Sequence, residues 1–145
     1  MNRRTLIQSA GAAAMIPLIL SAGSASAQIT DDTVYELRIY HLNEGKQPLI
    51  LDRFRSKETK IFERLGMHNV AFWTPTDETT NFEAPGRTLI YVMRHKSREA
   101  ARESWAKFKV DPEWVALKAE TEKDGTFVIK SEATFMKLTD FSPKI

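Results

Sequence analysis

The order in which two hydrophobic periodicities follow one another restricts the fold of this chain more than any other feature. Segments with a period of two, typical of strands, occur at 33–42, 67–74, 87–95 and 126–139. A segment with helical spacing runs from 46 to 65, and two shorter ones begin at 97 and 111. The order β-α-β-β-α-(α)-β is that of a split βαβ, so the sequence predicts an α+β fold with a ferredoxin-like sheet.

The ends of the predicted helices carry residues that stop and start helices. Gly66 follows the apolar stripe of the first helix and suits a helix C-terminus. Ser97 is placed to cap the second helix, and Asp111 with Pro112 is placed to begin the third. Asp111 and Pro112 are therefore interpreted as helix-start chemistry and not as a site.

One face of such a sheet carries the helices, and the other face needs a different cover. By strand parity, the uncovered face is predicted to hold Ala71, Trp73, Ile90 and Val92, together with Glu36, Arg38 and Tyr40. This face is too apolar to remain in water, and a second copy of the chain is its simplest cover. The sequence therefore predicts a homodimer whose two sheets meet face to face.

Residues 1–27 have the three-part layout of an export signal. Arg3 and Arg4 form a basic start, a run of small and apolar residues follows, and a small-x-small pattern predicts cleavage between Ala27 and Gln28. The apolar run is too short and too interrupted for a membrane span of about 20 residues. The paired arginines favour a twin-arginine signal, with an ordinary Sec signal as the alternative. Both predict a periplasmic or secreted protein.

Cleavage there would leave one domain of 118 residues, 28–145, with balanced charge. The whole chain has 21 basic and 19 acidic residues, and loss of the two signal arginines reduces the basic count to 19. The charges are interspersed, so no nucleic-acid partner is predicted, and neither is a membrane span in the mature form. The chain has no cysteine, which excludes disulfides, thiolate catalysis and cysteine-ligated metals.

A polar group on the first strand is the main candidate for a ligand-binding site. Glu36, Arg38 and Tyr40 lie two residues apart on one strand face, and Arg94 of the third strand can join them. In the functional interpretation, they orient a small ligand inside the barrel, with Arg38 holding an anion or a carbonyl group. In the structural interpretation, which we favour, they form ion pairs at the dimer interface or between strands. Trp73 either lines the ligand pocket or fills the dimer core.

The histidines and tryptophans give weaker signals. His41, His68 and His95 have no metal-binding spacing, so no metal site is predicted, and haem ligation by one of them is an alternative. His41 and His95 fall near strand ends, where exposed or capping histidines are expected. Trp105 and Trp114 have the spacing of core residues. No catalytic residue can be assigned.

Several short segments, taken in order, resemble the NIPSNAP family of the dimeric α/β-barrel superfamily. They are Tyr35-Glu36-Leu37-Arg38-Ile39-Tyr40, Gly66 to Trp73, Ala100-Ala101, Asp111-Pro112-Glu113-Trp114 and Phe141-Ser142-Pro143. They span nearly the whole predicted mature chain. The resemblance implies two ferredoxin-like subunits that pair their sheets into a barrel.

The resemblance implies less about activity than about fold. Eukaryotic members of the family are associated with mitochondria and protein–protein interactions, and bacterial members mostly lack an assigned reaction. Sister families include haem-binding proteins and cofactor-free monooxygenases, but fold alone does not transfer an activity. The resulting hypothesis is an exported homodimer that binds a small ligand or a protein partner, with no predicted cofactor. The alternative is a cofactor-free or haem-dependent oxidoreductase that uses the barrel cavity.

Overall fold

The computed structural model of the protein describes residues 30–76 and 86–145, which form one antiparallel sheet with helices on one face. The strands are β1 (Val34–Leu42), β2 (His68–Trp73), β3 (Thr88–His95) and β4 (Val128–Met136), in the spatial order β2-β3-β1-β4. The helices are α1 (Gln47–Arg53), α2 (Thr59–Arg64), α3 (Arg98–Val110) and α4 (Pro112–Thr121), with a π-helical segment (Phe54–Glu58) between α1 and α2. This confirms the predicted α+β, ferredoxin-like fold.

One prediction lies beyond these residues. The signal segment 1–27 is outside the described part of the chain. Within 30–76 and 86–145, no helix is both long and apolar enough to span a bilayer.

The predicted helix ends are confirmed by their hydrogen bonds. Gly66 has a φ of 84°, and its N–H donates to the carbonyl of Glu63 at 3.0 Å. The Ser97 hydroxyl accepts from the N–H of Ala100 at 3.1 Å at the start of α3. The Asp111 carboxylate accepts two N–H groups from the first turn of α4, each at 3.1 Å. These contacts satisfy backbone groups that a helix end leaves unpaired.

The core lies between the helices and the side chains on one face of the sheet. Tyr91 of β3 is fully buried at its centre, with the ring of Phe62 stacked at 6.2 Å and that of Tyr40 perpendicular at 5.2 Å. Phe54 lies 5.4 Å from the same ring, and Phe108 of α3 lies 5.0 Å from Phe62. The helical region between β1 and β2 and helix α3 therefore pack on one aromatic cluster.

The register of β1 corrects the predicted position of its polar group. Glu36 pairs with Met93 and Arg38 pairs with Tyr91, and both partners point into the helix-covered core. Tyr40 belongs to that core as well. The three residues therefore face the helices, not the uncovered face where we predicted them. Parity identifies which residues share a face, but β3 is apolar on both faces and gives no sign of which one the helices cover.

The uncovered face is apolar at its centre. Leu37 pairs with Val92 across β1 and β3, and Ile90 lies between Ile39 and Trp73 on its two neighbouring strands. Trp73 is 50% exposed in the single chain. The prediction for this face is therefore correct for Ala71, Trp73, Ile90 and Val92. From β1, the face receives the aliphatic residues Leu37 and Ile39 in place of the predicted polar residues.

A buried ion cluster accompanies the π-helical segment. Arg53 donates to Glu58 at 2.8 Å and to Glu122 of the α4 end at 2.7 Å. Its guanidinium also contacts the rings of Trp114 at 5.0 Å and Phe127 at 4.8 Å. Burial raises the pKa of Glu58 to about 7 against the opposing effect of Arg53, and the nearby Glu122 carboxylate adds to the rise.

We expect Glu58 to make stability pH-dependent near neutrality. Its pKa is about 7 in the folded state against an ordinary value of 4.5, so the folded state binds more protons between these values. The free energy of unfolding should therefore fall as pH rises through this window. Thermal unfolding at about pH 5.5 and about pH 7.5 should show the loss in the wild type and a smaller one in Glu58→Gln. The exposed Glu120→Gln is the control, and equal losses in all three proteins would contradict the assignment.

Candidate functional site: a groove between helices and sheet edge

The Glu36 carboxylate is the centre of a buried polar cluster. The residue is 1% exposed. Its Oε1 accepts from the Arg38 guanidinium at 2.8 Å, and its Oε2 accepts from the indole N–H of Trp105 at 2.7 Å. Nε2 of His95 lies 2.8 Å from the same Oε2 and donates to it, because an ionised carboxylate can only accept. One side chain therefore joins β1, β3 and α3.

These donors determine the protonation state of Glu36. Burial by itself would raise the pKa of the carboxyl, but the hydrogen bonds from His95, Trp105 and Arg38 outweigh burial and hold the pKa below its ordinary value of 4.5. The group is ionised at neutral pH and has three donors already bound. Its chemical role is to anchor its neighbours, not to accept a proton.

The environment of His95 differs from the expected one. We predicted an exposed or capping histidine near the strand end, but its side chain is fully buried, with the Phe135 ring 6.1 Å away. Its Nδ1 has no hydrogen-bond partner among the described residues. No group of three or more histidine or acidic side chains in 30–76 and 86–145 is arranged to hold a metal ion.

A groove of about 800 Å³ opens beside this cluster, between α3, α4 and the sheet edge, where β4 is the edge strand and β1 its neighbour. Ser131 and Ala133 of the edge strand face the helices, and their small side chains leave space there. The lining residues are Glu36, Arg38, Ser131, Ala133 and Phe135 of the sheet, Arg98, Glu99, Arg102, Trp105, Phe108 and Lys109 of α3, and Trp114 and Lys118 of α4.

Aromatic rings form one wall of the groove. Phe108 and Trp114 stack with centroids 4.4 Å apart, and Trp105 lies perpendicular to Phe108 at 5.5 Å. The Arg38 guanidinium covers the Trp105 ring at 4.3 Å. The two tryptophans pack against the core, as predicted from their spacing, and also line the groove.

The groove is positively charged. Its lining includes five basic residues and two carboxylates, one of which is Glu36. Arg38 is paired with Glu36, whereas the other four cations form no ion pair with any described carboxylate. The arrangement can therefore receive a negatively charged group next to an apolar surface.

The residues predicted to form one site are divided between the two faces. Glu36 and Arg38 line the groove, and Tyr40 lies deeper, where its hydroxyl accepts from that of Tyr91 at 2.7 Å. Trp73 lies on the uncovered face. Arg94 is also on that face and donates to the carbonyl of Ile145 at 3.3 Å.

Sequence reasoning missed the contribution of α3 to this site. Arg98, Arg102, Trp105 and Lys109 recur at spacings of four and three, which places them on one helix face. A stripe of cations around a tryptophan was a usable signal in the sequence. A helix face that packs on a core usually carries apolar residues. The basic residues of this stripe line the groove instead.

The fold and the family agree. The sheet order defines a ferredoxin-like α+β domain. The sequence profile of the NIPSNAP family matches residues 35–143, and the chain therefore belongs to the NIPSNAP family. No curated protein is significantly similar to the chain in sequence.

Solved structures share this fold at low sequence identity. A NIPSNAP-like domain protein from Burkholderia xenovorans has a TM-score of 0.64 at 14% identity, covering 79% of this chain and 91% of its own. A NIPSNAP family protein from Agrobacterium tumefaciens has a TM-score of 0.63 at 22% identity, with coverages of 77% and 97%. A variant of SnoaB, a cofactor-independent oxygenase from Streptomyces nogalater, has a TM-score of 0.53 at 12% identity, with coverages of 78% and 99%. These likenesses concern the fold alone.

We expect Glu36→Gln to destabilise the protein by about 3 kcal/mol at neutral pH, because it leaves the Arg38 charge without its partner. Since the folded-state pKa lies below 4.5, the stabilisation by Glu36 is present above that pH and is lost as pH falls through the folded value. Urea unfolding at about pH 7 should therefore separate variant from wild type, and the difference should shrink at about pH 3.

Glu99→Gln is the matched control for this prediction. It changes an exposed carboxylate in the lining of the same groove. A small effect of the control beside a large effect of Glu36→Gln would support the anchoring role. Wild-type stability of Glu36→Gln at neutral pH would contradict it.

Proposed function

We propose that this NIPSNAP-family protein is an exported homodimer that binds a small ligand in the groove between α3, α4 and the sheet edge. The observation that carries the proposal is the groove itself. Its volume of about 800 Å³ is in the usual range for small-molecule sites, and it combines aromatic walls with a few fixed polar groups. Docking of a protein partner in the groove is the competing proposal.

The homodimer is supported by the uncovered sheet face. Leu37, Ile39, Ile90 and Val92 form its apolar centre, and Trp73 extends it at the edge. Water contact with such a contiguous patch is unfavourable, and burial against an identical patch removes it from both copies at once. We therefore propose that two sheets pair face to face as the walls of a barrel.

Export is supported by the sequence of residues 1–27. The basic start, the apolar run and the small-x-small pattern before Gln28 favour a cleaved signal. We propose a periplasmic or secreted mature protein, and we favour the twin-arginine route because of Arg3 and Arg4. Sec export is the alternative route.

The alternative function is that of the predicted oxidoreductase, for which we propose the groove as the site in place of the barrel cavity. The structural likeness to SnoaB, described as a cofactor-independent oxygenase, is the observation that favours it. None of the described residues that line the groove is a histidine, so a haem bound there would lack the most usual axial ligand. We therefore propose a site without a resident haem, whether it only binds its ligand or also oxidises it.

Native mass spectrometry of protein taken from the periplasm tests the main proposal. We expect a chain that begins at Gln28, a dimer, and a co-purifying small molecule. Val92→Lys places a charge at the centre of the uncovered face and should shift the protein to monomer. Ala133→Trp fills the groove and should remove the small molecule while the dimer persists.

The controls separate the parts of this proposal. Ser131→Lys adds a charge on the other face of the sheet and should leave the dimer intact. Replacement of both Arg3 and Arg4 by lysine should stop twin-arginine export but not Sec export. A monomeric wild type would contradict the dimer, and a bound molecule that persists in Ala133→Trp would contradict the groove.

A further inference from the structure

The charge and the walls of the groove restrict the ligand further than its volume does. We infer that the groove selects a planar apolar carboxylate, with the carboxylate on the Arg38 guanidinium and the flat body against Trp105 and Trp114. This inference deepens the proposed function and rests on it.

Arg38 is positioned to receive an anion at the base of the groove. One of its terminal nitrogens donates to Glu36 at 2.8 Å, and its plane covers the Trp105 ring at 4.3 Å. These two contacts hold the guanidinium in one orientation. Its side chain is 15% exposed, and it lines the groove. One of its two terminal nitrogens is engaged by a described residue. Its Nε is buried and has no partner among them, so the other terminal nitrogen is the donor left for a ligand.

The counterion of Arg38 is itself shared. Glu36 also accepts from Trp105 and from His95, so its negative charge is divided among three donors. The positive charge of the Arg38 guanidinium is consequently only partly compensated beside the groove. A ligand carboxylate could accept charge-assisted hydrogen bonds there without displacing Glu36.

The remaining cations add a local positive field. Apart from Glu36, the groove lining has a single carboxylate, Glu99, beside four further cations: Arg98, Arg102, Lys109 and Lys118. The groove is therefore more positive than residues 28–145 as a whole, in which basic and acidic residues are equal in number. The Arg98 guanidinium is held 3.6 Å from the centre of the Phe135 ring. Such a field in a cleft attracts anions and raises their association rate.

The aromatic wall distinguishes an organic carboxylate from other anions. Phe108 is buried and stacked on Trp114 at 4.4 Å, and the partly exposed Trp105 and Trp114 present apolar ring surface beside the cations. Inorganic phosphate would contact the cations but leave this surface wet. A neutral aromatic compound would cover the rings but leave the guanidinium facing apolar groups, which is unfavourable. A planar carboxylate satisfies both parts of the groove.

Isothermal titration calorimetry of the intact exported protein can test this with 2-naphthoate and 2-naphthylmethanol, which differ mainly in charge. Because a charge-assisted hydrogen bond contributes roughly a factor of ten or more to affinity, we expect 2-naphthoate to bind at least about tenfold more tightly. Arg38→Lys keeps the charge beside Glu36 but loses the fork geometry, and it should remove most of this preference. Arg102→Gln should weaken 2-naphthoate binding by a smaller factor, and Lys60→Gln, outside the groove, should change nothing.

Each other outcome has a defined meaning. Equal affinity for the two probes, abolished by Ala133→Trp, would leave the groove as a ligand site and overturn the carboxylate inference. Binding of inorganic phosphate as tight as that of 2-naphthoate would overturn the role of the aromatic wall. Failure of both probes to bind wild type at about millimolar concentration, where even weak complexes form, would overturn the inference. The proposed function would then still be tested separately, by whether native mass spectrometry finds a co-purifying small molecule that Ala133→Trp removes.

Discussion

The structure depends on one carboxylate that is almost entirely removed from water. Glu36 is tolerable inside the protein because it accepts from three donors, supplied by β1, β3 and α3. Each of these three donor groups is also costly to bury without an acceptor, so the carboxylate and its donors depend on one another. This mutual requirement fixes how α3 lies on the sheet, since the Trp105 indole has to reach the strand below it. The aromatic core supplies most of the burial, whereas this cluster specifies one arrangement of helix on sheet.

The same cluster explains why a groove exists at that place. Trp105 donates to Glu36 and covers Arg38, so the middle of α3 is held over β1. Beyond β1 the edge strand presents Ser131 and Ala133, which are too small to fill the remaining space. A rigid anchor beside a strand of small side chains therefore leaves an open volume with preorganised walls. Preorganisation matters for binding because the protein does not have to order these groups when a ligand arrives.

Sequence reasoning recovered the order of elements and the helix ends, because both depend on local chemistry. Gly66, Ser97 and Asp111 each act through backbone groups within a few residues. It failed on which face of β1 the helices cover. A strand with a buried glutamate and arginine has the same alternation as one that turns those residues to solvent, and only the long-range contacts with His95 and Trp105 distinguish the two. The groove was missed for the same reason, since it brings β1 together with α3, α4 and β4, which all follow β1 at long distance in sequence.

The two faces of the sheet bury different kinds of side chain, charged on one and aliphatic on the other. Dimer formation and ligand binding are therefore assigned to different faces. The helix-covered face has to satisfy charges, and it does so within one chain through Glu36 and Arg38. The other face has aliphatic residues such as Leu37 and Val92, whose only requirement is an apolar cover. Because alternate residues of β1 serve the two faces, a change on one face reaches the other only through the strand backbone. Association through the apolar face would therefore leave the polar cluster and the groove intact in each copy, so that a dimer would carry two equivalent grooves, each built from residues of a single chain.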